Sequence, residues 1–221
     1  MLKLGIDDAG RGPVIGPMVL AGCLIDENAE KELRKLGVKD SKDLTQKRRE
    51  ILEKEIKKLC ISFEVVMSNP DTIDNSLEKG INLNEVEAIM AAKIINKINN
   101  SKDKIKIVID CPSVSILKWT DLLKMKIKNL SNLEVSCEHK ADRNHIAVSA
   151  ASILAKCTRE KEMSKLKEKY GFEIGTGYPS DPLTCKFLEK NVIKYKDEGI
   201  FRKSWASWKR ARDNLKQDKL F

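Results

Sequence analysis

Two adjacent carboxylates, Asp7 and Asp8, lead into a glycine loop that carries an arginine, Gly10-Arg11-Gly12. Like charges side by side at the end of an apolar stretch repel one another, and a cation between them is the simplest remedy. A divalent metal would serve. The glycines expose backbone N–H groups and let a bulky partner approach closely, while Arg11 offers a fork of donors suited to a phosphate oxygen. The pattern points to metal-dependent chemistry on a phosphodiester. Two further acids, Asp110 and Asp142, recur where strands are expected to end. Taken singly, Asp110 before Cys111-Pro112 also fits a turn residue, and Asp142 a helix cap. Beside the Asp7-Asp8 pair their recurrence fits two-metal catalysis, in which ions about 4 Å apart are held by several carboxylates. A set of oxygen ligands without His or Cys suits a hard ion such as Mg²⁺. His139 and His145 invite a role as bases, but a ring beside a helix start is more often structural, and neither is given a catalytic part.

Positioning these acids requires strands that end together. Leu2 to Ile6 reads as a short apolar strand, and Val14 to Ile25 as a long buried one, with Pro17 at an edge or bulge and a hairpin between the two. Asp26 can cap a helix over 27–36, and Thr45 an amphipathic helix carrying Ile51, Leu52, Ile56 and Leu59. Ile61 to Met67 returns to strand, Asn69-Pro70 opens a turn or short helix, and a further helix begins at Asn82 or Asn84. Ile105 to Ile109 is β-branched except at Lys106 and ends in Asp110; a helix over 115–128 leads to a strand over 133–137. Strand, helix, strand with acids at the strand ends is an α/β arrangement, whose sites lie outside the carboxyl edge of the sheet. From Ile146 a long helix presents Ala147, Ala150, Ala151 and Ala155 on a face small enough to pack tightly on that sheet. Beyond the loop 171–182 the chain reads as basic and helical.

The 221 residues carry 42 Lys and Arg against 33 Asp and Glu, a net charge of +9. The stretch 151–221 holds 17 Lys and Arg against 10 acids, and nucleic acid is the natural polyanionic partner. A lysine-rich genome gives the same bias without function, since 33 of the basic residues are Lys. No apolar run is long enough to span a bilayer and no signal segment is recognisable, so a cytoplasmic protein is expected. Six scattered cysteines without a C-x-x-C pair read as reduced thiols.

The segments GIDDAGRGPVIGP, VKDSKDLT, VIDCPSV, EHKADRNHIAVSAASILAK and GTGYPSDP closely resemble those of ribonuclease HII, its archaeal-type members in particular, in order from residue 4 to about 208. The resemblance implies an α/β fold, a ribonuclease H-like mixed five-stranded sheet flanked by helices with a helical C-terminal extension, divided as a catalytic domain over 1–170 and a substrate-binding region over 171–221. It implies Mg²⁺- or Mn²⁺-dependent hydrolysis, with two ions, of RNA in RNA/DNA hybrids and at single ribonucleotides embedded in duplex DNA. Cleavage on the 5′ side of the ribonucleotide would leave 3′-hydroxyl and 5′-phosphate ends. The catalytic and metal-holding acids would be Asp7, Asp8, Asp110 and Asp142. Gly10, Arg11 and Gly12 would bind around the ribose 2′-hydroxyl, the group that separates RNA from DNA. Tyr178 would stack on the sugar at the RNA-to-DNA junction, and Lys42 and Lys140 would contact phosphates.

One departure stands out: the family pattern has glutamate where this chain has Asp8. The lost methylene retracts the carboxylate by about 1.5 Å, which predicts weaker Mg²⁺ activity and a relative preference for Mn²⁺. A rival reading follows, a hybrid-binding protein whose metal chemistry the shorter side chain has weakened. The segment 201–210 interleaves basic and aromatic residues; Trp205 and Trp208 are expected to dock on the core and the basic residues to face a duplex. The end, Gln217 to Phe221, resembles a truncated sliding-clamp-binding tail. A monomer is expected.

Overall fold

The computed structural model describes residues 1–38 and 44–217. A mixed sheet of five strands, ordered β3-β2-β1-β4-β5, is formed by β1 (Leu2–Ala9), β2 (Met18–Ile25), β3 (Ser62–Ser68), β4 (Ile105–Asp110) and β5 (Leu133–Glu138). The α-helices are α1 (Glu27–Lys35), α2 (Gln46–Leu59), α3 (Pro70–Glu78), α4 (Leu83–Ile98), α5 (Ile116–Lys124), α6 (Ala141–Asn144), α7 (Ile146–Tyr170), α8 (Pro182–Asn191) and α9 (Ala206–Gln217), with a 3-10 turn at Phe172–Ile174. Asp26 and Thr45 cap α1 and α2 as expected, accepting from the Ala29 and Arg48 N–H groups.

Contacts group the chain into two compact units, each discontinuous in sequence. One comprises Met1–Ala9, Val19–Met67 and Leu83–Thr158; the other comprises Gly10–Met18, Ser68–Asn82 and Arg159–Phe221. This grouping differs from a single cut at residue 170. The glycine-loop segment and α3 associate with the C-terminal helices, and α7 contributes to both units.

In the first unit β1 pairs antiparallel with β2 and parallel with β4, which pairs parallel with β5. The carboxyl ends of β1, β4 and β5 therefore share one edge. The first strand runs three residues beyond the expected Ile6, because Asp7, Asp8 and Ala9 continue the ladder opposite Ala21, Leu20 and Val19. The second strand is shorter than expected. Val14 to Pro17 lie outside it, with Gly16 at φ +86° and Ile15 bridging instead to Phe201.

Period-two alternation divides the sheet's faces. Val19, Ala21, Cys23 and Ile25 pack with residues of α1, α2 and the first half of α7, while Gly22 lies against Ile94 of α4. The alanine face of α7 is buried as expected, and its approach is close: a Cβ on Gly5 would fall 2.1 Å from the Ala147 carbonyl carbon. Only glycine lets this helix lie so near the strand that carries Asp7 and Asp8.

In the second unit, Val14, Ile15, Ile174, Phe187, Leu188, Ile200, Phe201 and Trp208 form an apolar core. Trp208 is buried, and Trp205 packs against the same core, as expected for the aromatics of this segment.

Candidate active site

Three of the expected acids gather at the carboxyl ends of β1 and β4. Asp7, Asp8 and Asp110 line one narrow cleft with Ile6, Leu20, Glu87, Ile109, Pro112 and Trp119. The β1–β4 register pairs Ile6 with Ile109, which places Asp7 and Asp110 one step further along neighbouring strands. Asp7 is 6% exposed. Burial raises its pKa well above the ordinary aspartate value, and the negative charges of Asp8 and Asp110 raise it further. Hydrogen bonds from Ser152 and from the Asp8 N–H, the latter 2.8 Å from Asp7 Oδ1, act in the opposite direction without restoring it.

Asp142 lies in the short helix α6, buried at 1% exposure. That helix is tied to the cluster through its first residue, whose N–H donates to Asp110 Oδ1 at 3.0 Å. No three His, Cys, Asp or Glu side chains among the described residues stand as a ready-made metal cage. The donor set nevertheless suits a hard divalent cation. It offers several carboxylate oxygens, and the Asp7 carboxylate is one whose negative charge burial and neighbouring acids both disfavour.

Sequence reasoning missed Glu87. It projects from α4 into the same cleft and is 1% exposed, although Val86, Ala88, Met90 and Ala91 around it are apolar and buried. An acid inside the apolar stripe of a helix was the available signal. Ser152 was also missed, and nothing separates it from the small residues around it in α7. His145 is accounted for structurally: its Nε2 lies 2.9 Å from Glu138 Oε2, at the end of α6.

The second unit contains the loop and the tyrosine. Gly10 has φ +83°, and a Cβ there would lie 2.3 Å from Arg159 Nε, so both backbone and space demand glycine. A Cβ on Gly12 would lie 3.6 Å from Cε1 of Tyr178. Tyr178 is 39% exposed, with the Arg159 guanidinium 5.3 Å from its ring centroid. Arg159 is itself buried and donates from Nη2 to the Thr176 carbonyl at 3.1 Å. Desolvation lowers its pKa. An accessible ring beside an exposable amide loop is a surface on which a sugar can stack.

Arg202 corrects an expectation. Read as one of the duplex-facing basic residues, it is wholly buried, and its guanidinium donates to the carbonyls of Gly10, Arg11 and Gly16. Lys140 is exposed and takes a left-handed backbone conformation, φ 58° and ψ 36°, ahead of α6. Lys42 lies outside the described residues, as do the last four residues of the expected clamp-binding tail. No helix among the described residues is long and apolar enough to cross a membrane.

Comparison with known proteins places the chain in a family. The family model for ribonuclease HII matches residues 4–208. A ribonuclease HII of Methanococcus maripaludis is 44% identical over 219 residues, covering 99% of this chain and 90% of the relative. The crystal structure of ribonuclease H2 from Pyrococcus horikoshii superposes with a TM-score of 0.86 at 39% identity, covering 98% of this chain and 99% of that one. The ribonuclease HII in a PCNA complex from Archaeoglobus fulgidus gives a TM-score of 0.79 at 39% identity, covering 91% of this chain and 92% of that one.

Proposed function

The chain belongs to the ribonuclease HII family, nucleases that hydrolyse the RNA strand of RNA/DNA hybrids, and from that premise we propose that it cuts at single ribonucleotides in duplex DNA with divalent metal. The observation that carries the reading is the buried Asp7 carboxylate beside Asp8 and Asp110 at the shared edge of parallel strands. Asp7 and Asp110, with Asp8, would hold one Mg²⁺ or Mn²⁺ ion, and Asp142 would share a second. When bound, the metal supplies the positive charge that activates water and steadies the departing 3′ oxygen. The chain's own residues do the rest. Ser152 and the Asp8 N–H orient Asp7, the Ala141 N–H orients Asp110, and the carboxylates keep their oxygens available as ligands.

Around the substrate, Gly10, Arg11 and Gly12 would meet the ribose 2′-hydroxyl and its phosphates, with Tyr178 stacking on the neighbouring sugar. Lys140 and Lys42 would contact phosphates. Discrimination then rests on the sugar and not on base identity. Cleavage on the 5′ side of the ribonucleotide would leave 3′-hydroxyl and 5′-phosphate ends. The enzyme would act as a cytoplasmic monomer in replication and repair, with residues 217–221 engaging a sliding clamp. The PCNA complex of the Archaeoglobus fulgidus relative supports that last assignment. No observation favours the rival reading of a hybrid binder weakened at Asp8.

Incubation with an end-labelled duplex containing one ribonucleotide, in Mg²⁺ and in Mn²⁺, tests the proposal. A single product with a 3′-hydroxyl on the 5′ side of the ribonucleotide, faster in Mn²⁺, is expected. A stable complex that yields no product with either ion would overturn it.

A further inference from the structure

We propose that Arg202 is a positioning residue for sugar recognition: it holds the Gly10-Arg11-Gly12 loop by its carbonyl oxygens and thereby aims the loop's amides at the ribose. The proposal rests on the assignment of this loop to the ribose and adds what gives the loop its shape.

Arg202 is among the largest fully buried side chains, and its guanidinium reaches backbone oxygens of the loop and of the segment following it. Nη2 donates to Gly10 O at 2.6 Å and to Gly16 O at 3.0 Å. Nη1 donates to Arg11 O at 2.7 Å, and Nε to Gly16 O at 3.2 Å. The central carbon of the guanidinium lies over the Trp205 ring, 4.9 Å from its centroid, and Trp205 Nε1 donates in turn to Gly12 O at 3.1 Å. Three successive carbonyls of the loop are therefore held by two side chains.

The consequence follows from peptide geometry. In a trans peptide the N–H points opposite to the C=O of the same plane. Fixing Gly10 O thus directs the Arg11 N–H away from Arg202, and fixing Arg11 O does the same for the Gly12 N–H. The third peptide precedes Pro13 and has no N–H, so its hydrogen bond from Trp205 acts only as a restraint. A loop containing two glycines has many conformations to lose on binding. Holding its carbonyls in advance removes that cost, as preorganisation does in general.

Arg202 is itself placed from both sides. Its N–H donates to Val14 O at 2.9 Å, and its carbonyl accepts from the Trp205 N–H at 3.1 Å. The next turn is anchored by Asp74, which is 7% exposed and accepts from the Lys203 N–H at 2.6 Å, the Ser204 N–H at 3.1 Å and the Ser204 hydroxyl. Lysine offers one point donor group where arginine offers a planar fork, so Arg202→Lys keeps the charge and loses the geometry.

The test compares wild type, Arg202→Lys and Trp205→Phe in the full chain. Binding is measured in Ca²⁺ or chelator to a duplex with one ribonucleotide and to the matching all-DNA duplex, alongside KM, kcat and thermal unfolding. The expected result for Arg202→Lys is a rise in KM and a fall approaching about 10²-fold in the preference for the ribonucleotide duplex, the scale of misplacing a positioning group, with metal-induced thermal stabilisation retained. Trp205→Phe keeps the ring packing and should show a smaller change in the same direction, which holds the proposal to account even if Arg202→Lys does not fold. Wild-type preference and KM in the folded variants, with only the unfolding temperature lowered, would overturn it. If wild type itself does not prefer the ribonucleotide duplex, the assignment of the loop to the ribose fails, and the proposal falls with it.

Discussion

The acid cluster at the strand ends and the Gly10-Arg11-Gly12 loop both bring several polar groups together, yet they are treated in opposite ways. At the cluster, Asp7 is buried beside Asp8 and Asp110, and their charges add to the burial in disfavouring its ionised form. At the loop, carbonyl oxygens are met by a buried guanidinium and an indole N–H supplied by the chain itself. One region keeps an electrostatic deficit that a cation would relieve; the other spends a buried charge on fixing a shape. A site that must take up a ligand gains from the first arrangement, and one that must present a rigid surface gains from the second.

The largest effects of substitution are expected at the cluster. Asp110→Asn is expected to lower kcat by about 10²- to 10³-fold, the scale of losing one electrostatic contact in a transition state, measured as single-turnover cleavage of the one-ribonucleotide duplex. Asp7→Asn should abolish comparable activity while raising stability in chelator at neutral pH. The sign follows from linkage: a folded-state pKa raised above the unfolded value of about 3.9 means that stability is lost as pH rises from there through the folded pKa. The variant has no such loss, so its advantage over wild type in thermal unfolding should be present at pH 7 and vanish below about pH 4. An unchanged or lowered unfolding temperature at pH 7 would show that Asp7 is not under the stress described.

A smaller effect sharpens the role of Asp8. Restoring the longer side chain with Asp8→Glu should raise the Mg²⁺-supported rate and narrow the gap to Mn²⁺, read from initial rates in the two ions. An unchanged Mg²⁺ rate would remove the geometric argument. Smallest is Lys140→Gly, which relieves about 1 kcal/mol of left-handed backbone strain while removing a cation. Denaturant unfolding should show the stabilisation, and hybrid binding should lose about one from the slope of log affinity against log salt.

The legible parts of the sequence were those where local chemistry and tertiary structure agree. Asp26 and Thr45 announced their helices, and the alanines of α7 announced a helix lying close to the sheet. Strand boundaries were less legible. The ladder hydrogen bonds of β1 are indifferent to side-chain charge, so the strand continues through Asp7 and Asp8, while Gly16 and Pro17 remove Val14 and Ile15 from β2 despite their β-branched side chains. Within the site, Asp7, Asp8 and Asp110 could be read because acids at strand ends are conspicuous. Glu87 was signalled only by its charge inside the apolar stripe of α4, a sign that names no partner, and Arg202 carried no signal, being one basic residue in a basic stretch. Only the fold shows that one faces a cleft of acids and that the other grips a loop nearly two hundred residues away in sequence.

Anomalous diffraction from crystals of the full chain grown with Mn²⁺ shows whether the acids at the ends of β1 and β4 form a metal centre. A peak within ligand distance of Asp7 and Asp110 carboxylate oxygens is expected, lost in Asp7→Asn. Well-ordered crystals with no Mn²⁺ peak there, or with Mn²⁺ bound only elsewhere, would contradict it.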